Sequence, residues 1–559
     1  MKKIIIGTRG SRLSLAQTKI AVDAIKKAFP RLLIEIKVIK TYGDVKKDMK
    51  LDRMEQKGVF VKDIDRQLAE GAIDNAVHSL KDIPTRLPDQ IRIGAIIQRA
   101  DPRDVLVSRG GERLLGLCKG ARIGTSSLRR KGQLLAFRRD FRVVEMRGNV
   151  DKRIAKLYAD DYDAIVLAAA GMLRLGMAKS ISEYLPLKVM LPAPGQGALA
   201  VEIRNNDKEA KEIADGIDNP RLRASVEAER TVLSRIGGGC NALLGVFAQI
   251  KGKRLNISAA ITSKDGSRKH EYSHVGSADF PEEAGQMLAE KILMSGASDL
   301  AGGKKQKSSL KGRVVLVTRE EDEGEGICQM LLERGAIPVY FPTIKTVDLP
   351  DASNDPLLEG LDRYDMLIIT SRRGASKLVE MLRIKGIRKG SIRAKVVAIG
   401  PETQKYLQEN NVVVHHVPRS PSSKRMASGL DVKGKRVLII NSAKAPGDLS
   451  ERLTSMGAKV DRIMPYTLSI PKVSAQRRRC ILGYSFDFIT FASPSAVEGL
   501  IELMGRPAAK KMLLRSKVVC IGNTTAGRCI EEGIKVHFVS KVHSLSGIVG
   551  CMERFYRPR

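Results

Sequence analysis

A single carboxylate set among arginines is the first chemistry the chain offers. In His78-Ser79-Leu80-Lys81-Asp82-Ile83-Pro84 only Asp82 can carry a negative charge. Downstream, GTSSLRR (124–130) and RGNV (147–150) supply guanidinium groups, and Gly237-Gly238-Gly239-Cys240 places a thiol after three glycines. Such a set suits a reaction that creates a transient cation on a polyanionic substrate. The carboxylate stabilises the cation, and guanidinium forks hold the substrate's acid groups. Consecutive glycines allow φ > 0 and a backbone that presents the sulfur into a cleft. Each residue taken alone also has a plain structural alternative. Asp82 can cap a helix or pair with Lys81, a lone cysteine is most often a buried hydrophobe, and an arginine is most often a solvated charge.

Composition narrows the partners. Lys plus Arg number 97 against 62 Asp plus Glu, a net charge of +35, which favours acidic partners. Aromatic residues make up 4% with no Trp, and no zinc-finger, RNA-recognition or heptad pattern accompanies the basic residues. A polycarboxylate is therefore favoured over nucleic acid. The seven cysteines are an odd number without a CxxC pair, so neither a disulfide framework nor a metal is expected, and a reducing compartment is. The opening MKKIIIGTRG reads as a first strand rather than a signal sequence, and no apolar run approaches the roughly 20 residues that span a bilayer. A cytoplasmic monomer without a membrane partner is the expectation.

These groups need elements to hold them. Apolar runs at 3–7, 33–40, 105–108, 143–146 and 164–167, separated by helical patterns, predict an α/β chain with parallel-sheet character. From about 220 a long helix (221–235) precedes strands near 245–250 and 255–262, a smaller α+β unit ending near 295. SGASDLAGGKKQKSSLKG (295–312) is the best linker candidate. At 559 residues, and roughly 100–200 per domain, three to five domains are expected.

Beyond the linker the sequence repeats itself at an offset of 122. KVVAIGPET (395–403) falls on KVVCIGNTT (517–525), LVEM (378–381) on LIEL (500–503), VVLVT (314–318) on RVLII (436–440), and Ser371 on Ser493. Two copies of one α/β unit, 312–418 and 434–540, follow from this register. Four strand ends, at Thr370-Ser371, 400–403, 492–495 and 522–525, hand over to helices. Helix N-termini at the carboxyl ends of strands are where open α/β sheets bind anions, while the same hydroxyls serve equally as helix caps.

In order and spacing, HSLKDIP, GTSSLRR, RGNVDKR, AAGMLRLG, LPAPGQGALAVE and GGGC resemble hydroxymethylbilane synthase, also called porphobilinogen deaminase, over about 290 residues. The resemblance implies two domains like those of periplasmic binding proteins and a small third one. It also implies a dipyrromethane cofactor thioether-linked to Cys240 and stepwise addition of four porphobilinogens with loss of ammonia. Asp82 would then stabilise the methylene-pyrroleninium cation. Lys81, Ser127, Arg129, Arg130 and Asp82 would hold the cofactor, and Arg9, Ser11, Arg147, Arg153 and Arg174 the substrate carboxylates. Lys57 and Phe60, in a glycine-containing stretch, would belong to a mobile cover. One departure concerns the rigidity of the cysteine loop: Leu243 stands where the family usually has proline.

VVLVTRE, TSRRGA, FASPSAV and IGNTTA, over about 245 residues, resemble uroporphyrinogen-III synthase. That resemblance implies a bilobal fold that closes hydroxymethylbilane into a macrocycle with inversion of the last ring, largely by orientation. Tyr466 is the candidate general acid, with a core or hinge tyrosine as the alternative. Ser371, Ser493, Thr524 and Thr525 are candidate substrate contacts. The expected division is 1–98 plus 197–216, 99–196 and 217–294 for the first enzyme, a linker at 295–311, then lobes 312–344 plus 467–559 and 345–466. Two rivals remain: a non-catalytic polycarboxylate binder, and a deaminase with an inactive C-terminal module.

Overall fold

The computed structural model describes residues 3–39, 62–159, 162–237, 243–297, 300, 310–320, 326–349, 355–387, 392–418, 430–445 and 447–556. Four five-stranded sheets and one three-stranded sheet organise them.

The first two sheets share one plan. Strands β1 (Lys3–Arg9), β2 (Leu33–Ile39), β3 (Asn75–Ser79) and β4 (Ile91–Arg99) build the first sheet. Strands β5 (Asp104–Ser108), β6 (Arg122–Gly124), β7 (Arg142–Val144), β8 (Ala164–Ala168) and β9 (Glu183–Tyr184) build the second, and β10 (Ala198–Arg204) returns to the first. The orders are β2-β1-β3-β10-β4 and β7-β6-β8-β5-β9. The expectation of parallel sheets holds for β1–β3 and β6–β8, but β10 and β5 run antiparallel to their neighbours. These two strands carry the chain between the sheets instead of closing a β-α-β crossover, so the parallel constraint does not apply to them.

Local sequence explains the helix that faces the cleft. Ser11 Oγ accepts from Ser14 N at 3.1 Å and caps the helix Arg12–Ala28, which buries Gln17, Thr18, Ala21 and Ile25 on one stripe. The third unit packs the helices Pro220–Ile236 and Pro281–Met294 on an antiparallel sheet of β11 (Leu244–Lys251), β12 (Arg254–Thr262) and β13 (Lys269–Ser277). Strand β13 escaped the sequence reading because Lys269, His270, Glu271 and Ser273 leave it without an apolar alternation.

The last two sheets contain β14 (Val314–Val317), β15 (Ile337–Tyr340), β16 (Lys345–Asp348), β17 (Met366–Ile369), β18 (Lys395–Ala398), β19 (Arg436–Ser442), β20 (Lys459–Ser469), β21 (Phe488–Phe491), β22 (Lys517–Cys520) and β23 (Phe538–Val539). Their orders are β15-β14-β21-β22-β23 and β16-β20-β19-β17-β18. The internal repeat is real in three dimensions but its copies are not the lobes. Each sheet joins the first half of one copy to the second half of the other. Asp487 accepts from Val314 N at 2.9 Å and its counterpart Asp365 from Arg436 N at 2.8 Å, both across copies. Equivalent bonds recur within copies: Val396 N donates to His415 Nδ1 and Val518 N to His537 Nδ1, each at 3.1 Å. Val315, Leu316 and Val317, like Leu367, Ile368 and Ile369, are fully buried, as strands covered on both faces should be.

Candidate active sites

Arg9 ends β1, Lys81 and Asp82 lie in the 3-10 turn Leu80–Asp82 that follows β3, and Arg130 sits in the first turn of the helix Leu128–Phe137. Arg153 belongs to the helix Val150–Ala159, and Arg174 closes the helix Ala169–Arg174. All of them, with Ser11, line one cleft of about 290 Å³. Among the described residues, six cationic side chains, Arg9, Arg12, Lys81, Arg130, Arg153 and Arg174, face two carboxylates, Asp82 and Asp151. Asp151 pairs with Arg12 at 3.2 Å. Asp82 is exposed to the cleft.

The cations are held where burial disfavours their charge. Burial, with Arg130 adding repulsion, pushes Arg153 down to about 10, and burial alone does the same to Arg174. Both stay charged at neutral pH. Arg174 donates to Gly197 O at 2.7 Å, while its Nε has no hydrogen-bond partner. Burial pushes Lys81 down to about 8 against the pull of Asp82. An entering polycarboxylate relieves each of these costs.

Other predicted residues stand differently. Arg129 and Arg130 lie in the first turn of a helix capped by Ser127, and both guanidinium groups converge on the buried Asp104, at 2.7 and 2.8 Å. Each takes a different carboxylate oxygen. Arg129 also donates to Leu191 O at 2.7 Å and is not part of the cleft wall. Nor are Ser127 and Arg147, the latter pairing with Glu145 at 2.7 Å. Although burial pushes Asp104 up, the two arginines override it and hold the carboxyl well below the usual range. Gln196 bridges this group to the cleft, donating to Asp104 at 3.0 Å and accepting from Lys81 at 3.4 Å. Asp104 and Gln196 were missed. The available signals were an acid opening an apolar strand and an amide between two glycines, Gly195 and Gly197, both at positive φ.

Glu229 was missed as well. It takes a two-point bond from Arg99 (2.8 and 3.0 Å) and accepts from Gly195 N and Ala248 N, so it ties the end of β4 and the segment before β10 to the third unit. The third unit's long helix ends at Gly237 with φ +83, the left-handed conformation expected of the first of three glycines. Cys240, Lys57 and Phe60 lie outside the described residues. Leu243, the departure from the proline pattern, is buried, and its carbonyl accepts from Thr262 N at 3.1 Å.

Behind β3, Asp65, His78 and Glu202 form a buried cluster that could hold a metal ion, their ligand atoms within 4.8 Å of one another. Burial pushes His78 down to about 4, and burial with the neighbouring Asp65 pushes Glu202 well up. His78 Nε2 stands 3.3 Å from Glu202 Oε2, and neither that nitrogen nor either Glu202 oxygen makes a hydrogen bond.

In the C-terminal half Tyr466, on β20, meets Ser371 with its hydroxyl 2.8 Å from Oγ. Ser371 Oγ also accepts from Gly374 N at 2.8 Å, so it caps the helix Arg372–Ile384 and faces the tyrosine at once. Tyr466 is 6% exposed. Ser493 caps the helix Pro494–Met504 in the other sheet. There Thr524 is exposed and Thr525 buried, in the first turn of the helix Asn523–Glu531.

Residues 4–212 match the family model described as porphobilinogen deaminase, dipyromethane cofactor binding domain, and 224–294 match porphobilinogen deaminase, C-terminal domain. A porphobilinogen deaminase from Desulforudis audaxviator (strain MP104C) is 44% identical over 299 residues, 54% of this chain and 97% of the relative. The chain belongs to the porphobilinogen deaminase family. One from Roseiflexus sp. (strain RS-1) is also 44% identical, over 54% of this chain and 99% of the relative. Residues 327–550 match the model described as uroporphyrinogen-III synthase HemD. A crystal structure of a mutant uroporphyrinogen III synthase from the extremely thermophilic bacterium Thermus thermophilus is 22% identical, with a TM-score of 0.35, covering 43% of this chain and 97% of that one. The deaminase half is therefore fused to a synthase half, and the chain is an enzyme of tetrapyrrole biosynthesis with both families present. Neither rival reading is favoured. Among the described residues no helix is long and apolar enough to cross a membrane.

Proposed function

We propose that the deaminase half joins four porphobilinogens to a dipyrromethane held through Cys240, with Asp82 as the catalytic carboxylate. The observation that carries this is Asp82 standing exposed in a cleft with six cations, where the other carboxylate among the described residues is already paired. Each pyrrole ring brings an acetate and a propionate, and guanidinium forks suit both. The cleft fits the cofactor for the same reason: Arg130 and Lys81 would hold its acid groups, and Arg9, Ser11, Arg153 and Arg174 those of the incoming substrate. When bound, the cofactor supplies a nucleophilic pyrrole carbon as primer. Asp82 acts on the porphobilinogen, accepting a hydrogen bond from the pyrrole N–H and stabilising the positive charge that develops as ammonia leaves. Arg129 and Ser127 position rather than touch: Arg129 shares Asp104 with Arg130, and Ser127 caps the helix that presents both. Arg147, Lys57 and Phe60 remain candidates for the substrate side.

The synthase half then takes hydroxymethylbilane, and Ser371, Tyr466, Ser493, Thr524 and Thr525 at the strand ends of its two sheets contact it. The 2.8 Å Ser371–Tyr466 pair supports Tyr466 as the proton donor to the departing hydroxyl. The chain acts as a monomer in the cytoplasm, and the six described cysteines, all free, suit a reducing compartment. Intact mass of denatured wild type beside Cys240→Ser tests the assignment. An excess of one dipyrromethane only in wild type is expected. An unmodified mass in folded wild type from cells supplied with porphobilinogen would overturn it.

A further inference from the structure

The helix Pro281–Met294 in the deaminase half is buried more completely than a surface helix should be. Nine of its fourteen residues are buried, among them Gln286 and Glu290. An amphipathic helix lying on a sheet buries one stripe and leaves polar residues in water. Here the polar stripe is covered too, and the cover is the synthase half. Arg477, 1% exposed, donates to both oxygens of Glu290 at 2.7 Å and to Tyr340 O at 2.7 Å. Tyr484 donates to Glu290 Oε2 at 2.9 Å. Nearer the helix N-terminus, Glu283 accepts from Ser474 N at 3.1 Å and from the Ser474 hydroxyl. Gln476 reaches Val275 O on β13 at 3.2 Å, and the Arg235 guanidinium lies 3.9 Å from the centroid of the Tyr340 ring.

We propose that Glu283 and Glu290, with the C-terminal turn of the helix Pro220–Ile236, form a dedicated docking surface for the synthase half, so that the two enzymes are one body and not two domains on a tether. A fully buried, two-point arginine–carboxylate pair is costly to desolvate and is retained only where geometry is fixed, because either partner left alone is an uncompensated buried charge. Surface ion pairs that merely touch do not reach this burial. The Arg235–Tyr340 stack sits two residues before Gly237, where the helix ends. The synthase therefore grips the third unit at the end of this helix, and the orientation of one enzyme to the other is set by this contact.

The test uses the full chain with a protease recognition sequence placed between 303 and 307, cut after purification and run on size exclusion at about 1 μM, where an interface with Kd well below that stays assembled. The cut wild type is expected to elute as one particle, and Glu290→Gln or Arg477→Met to weaken re-association by at least about tenfold. The exchange Glu290→Arg with Arg477→Glu should restore part of the loss. Uncut variants that turn over porphobilinogen normally establish that the deaminase has folded. Separation of the cut wild type overturns the proposal without any substitution. Cut variants that re-associate as tightly as wild type overturn the role of the ion pair.

Discussion

The deaminase cleft and the candidate hydroxyls of the synthase half meet different physical problems. The deaminase cleft is built from charge: six cations, a lone exposed carboxylate, and beneath them the buried Asp104 that holds Arg129 and Arg130. The synthase candidates are uncharged hydroxyls, Ser371, Ser493, Thr524 and Thr525 at helix starts and Tyr466 on β20, with Ser371 and Tyr466 meeting at 2.8 Å. A reaction that creates a cation on a polycarboxylate gains from charges arranged beforehand, whereas one that closes a ring gains from holding its ends together. Substitutions should therefore cost most in the deaminase cleft and least among the synthase hydroxyls.

Asp82→Asn gives the sharpest break. Turnover of porphobilinogen should fall about 10²- to 10³-fold with little change in KM, while added hydroxymethylbilane is still converted normally. Equal loss of both activities would mean that the two halves do not separate chemically. Asp104→Asn comes next, because it leaves two buried guanidinium groups without their carboxylate. About 3–5 kcal/mol of stability should be lost in urea unfolding of the deaminase half. Arg129→Leu and Arg130→Leu then sharpen the picture, since both should destabilise but only Arg130→Leu should raise KM for porphobilinogen. Tyr466→Phe is a milder probe. A fall in cyclisation of about 10²-fold is expected of the proton donor, and a fall of about tenfold or less would leave Tyr466 an orienting contact only.

The smallest effect is a pH limb. Lys81 in the free cleft is pushed down by burial to about 8 from 10.5. Between these values the unfolded chain holds a proton that the folded chain has released. The cost of the buried charge is therefore felt below about pH 8 and relieved as pH rises. Binding an anion reverses the preference, so affinity of the cofactor-free protein for porphobilinogen should fall as pH rises through about 8. Lys81→Arg, which keeps its charge, should abolish that limb in a calorimetric titration.

Much of the site was legible because its motifs are local. HSLKDIP places Lys81 and Asp82 in one turn after a strand, and SSLRR caps a helix whose first turn carries two arginines. What escaped were partners distant in sequence. Asp104 lies 25 and 26 residues before Arg129 and Arg130 in the chain, and Gln196 lies 92 residues beyond Asp104. Nothing in a linear reading says that an acid opening a strand will be buried against two arginines. The antiparallel course of β5 and β10 escaped for a related reason, since strand direction depends on where the chain enters a sheet.

The sequence by itself determined the families, the order of the motifs, the α/β class and the repeat at an offset of 122, because apolar periodicity, glycine positions and helix caps are written in neighbouring residues. Only the tertiary structure decided that Asp104 gathers Arg129 and Arg130 and that Glu290 meets Arg477 across 187 residues. These outcomes rest on contacts between distant segments, whose burial and charge pairing exist only once the chain has folded.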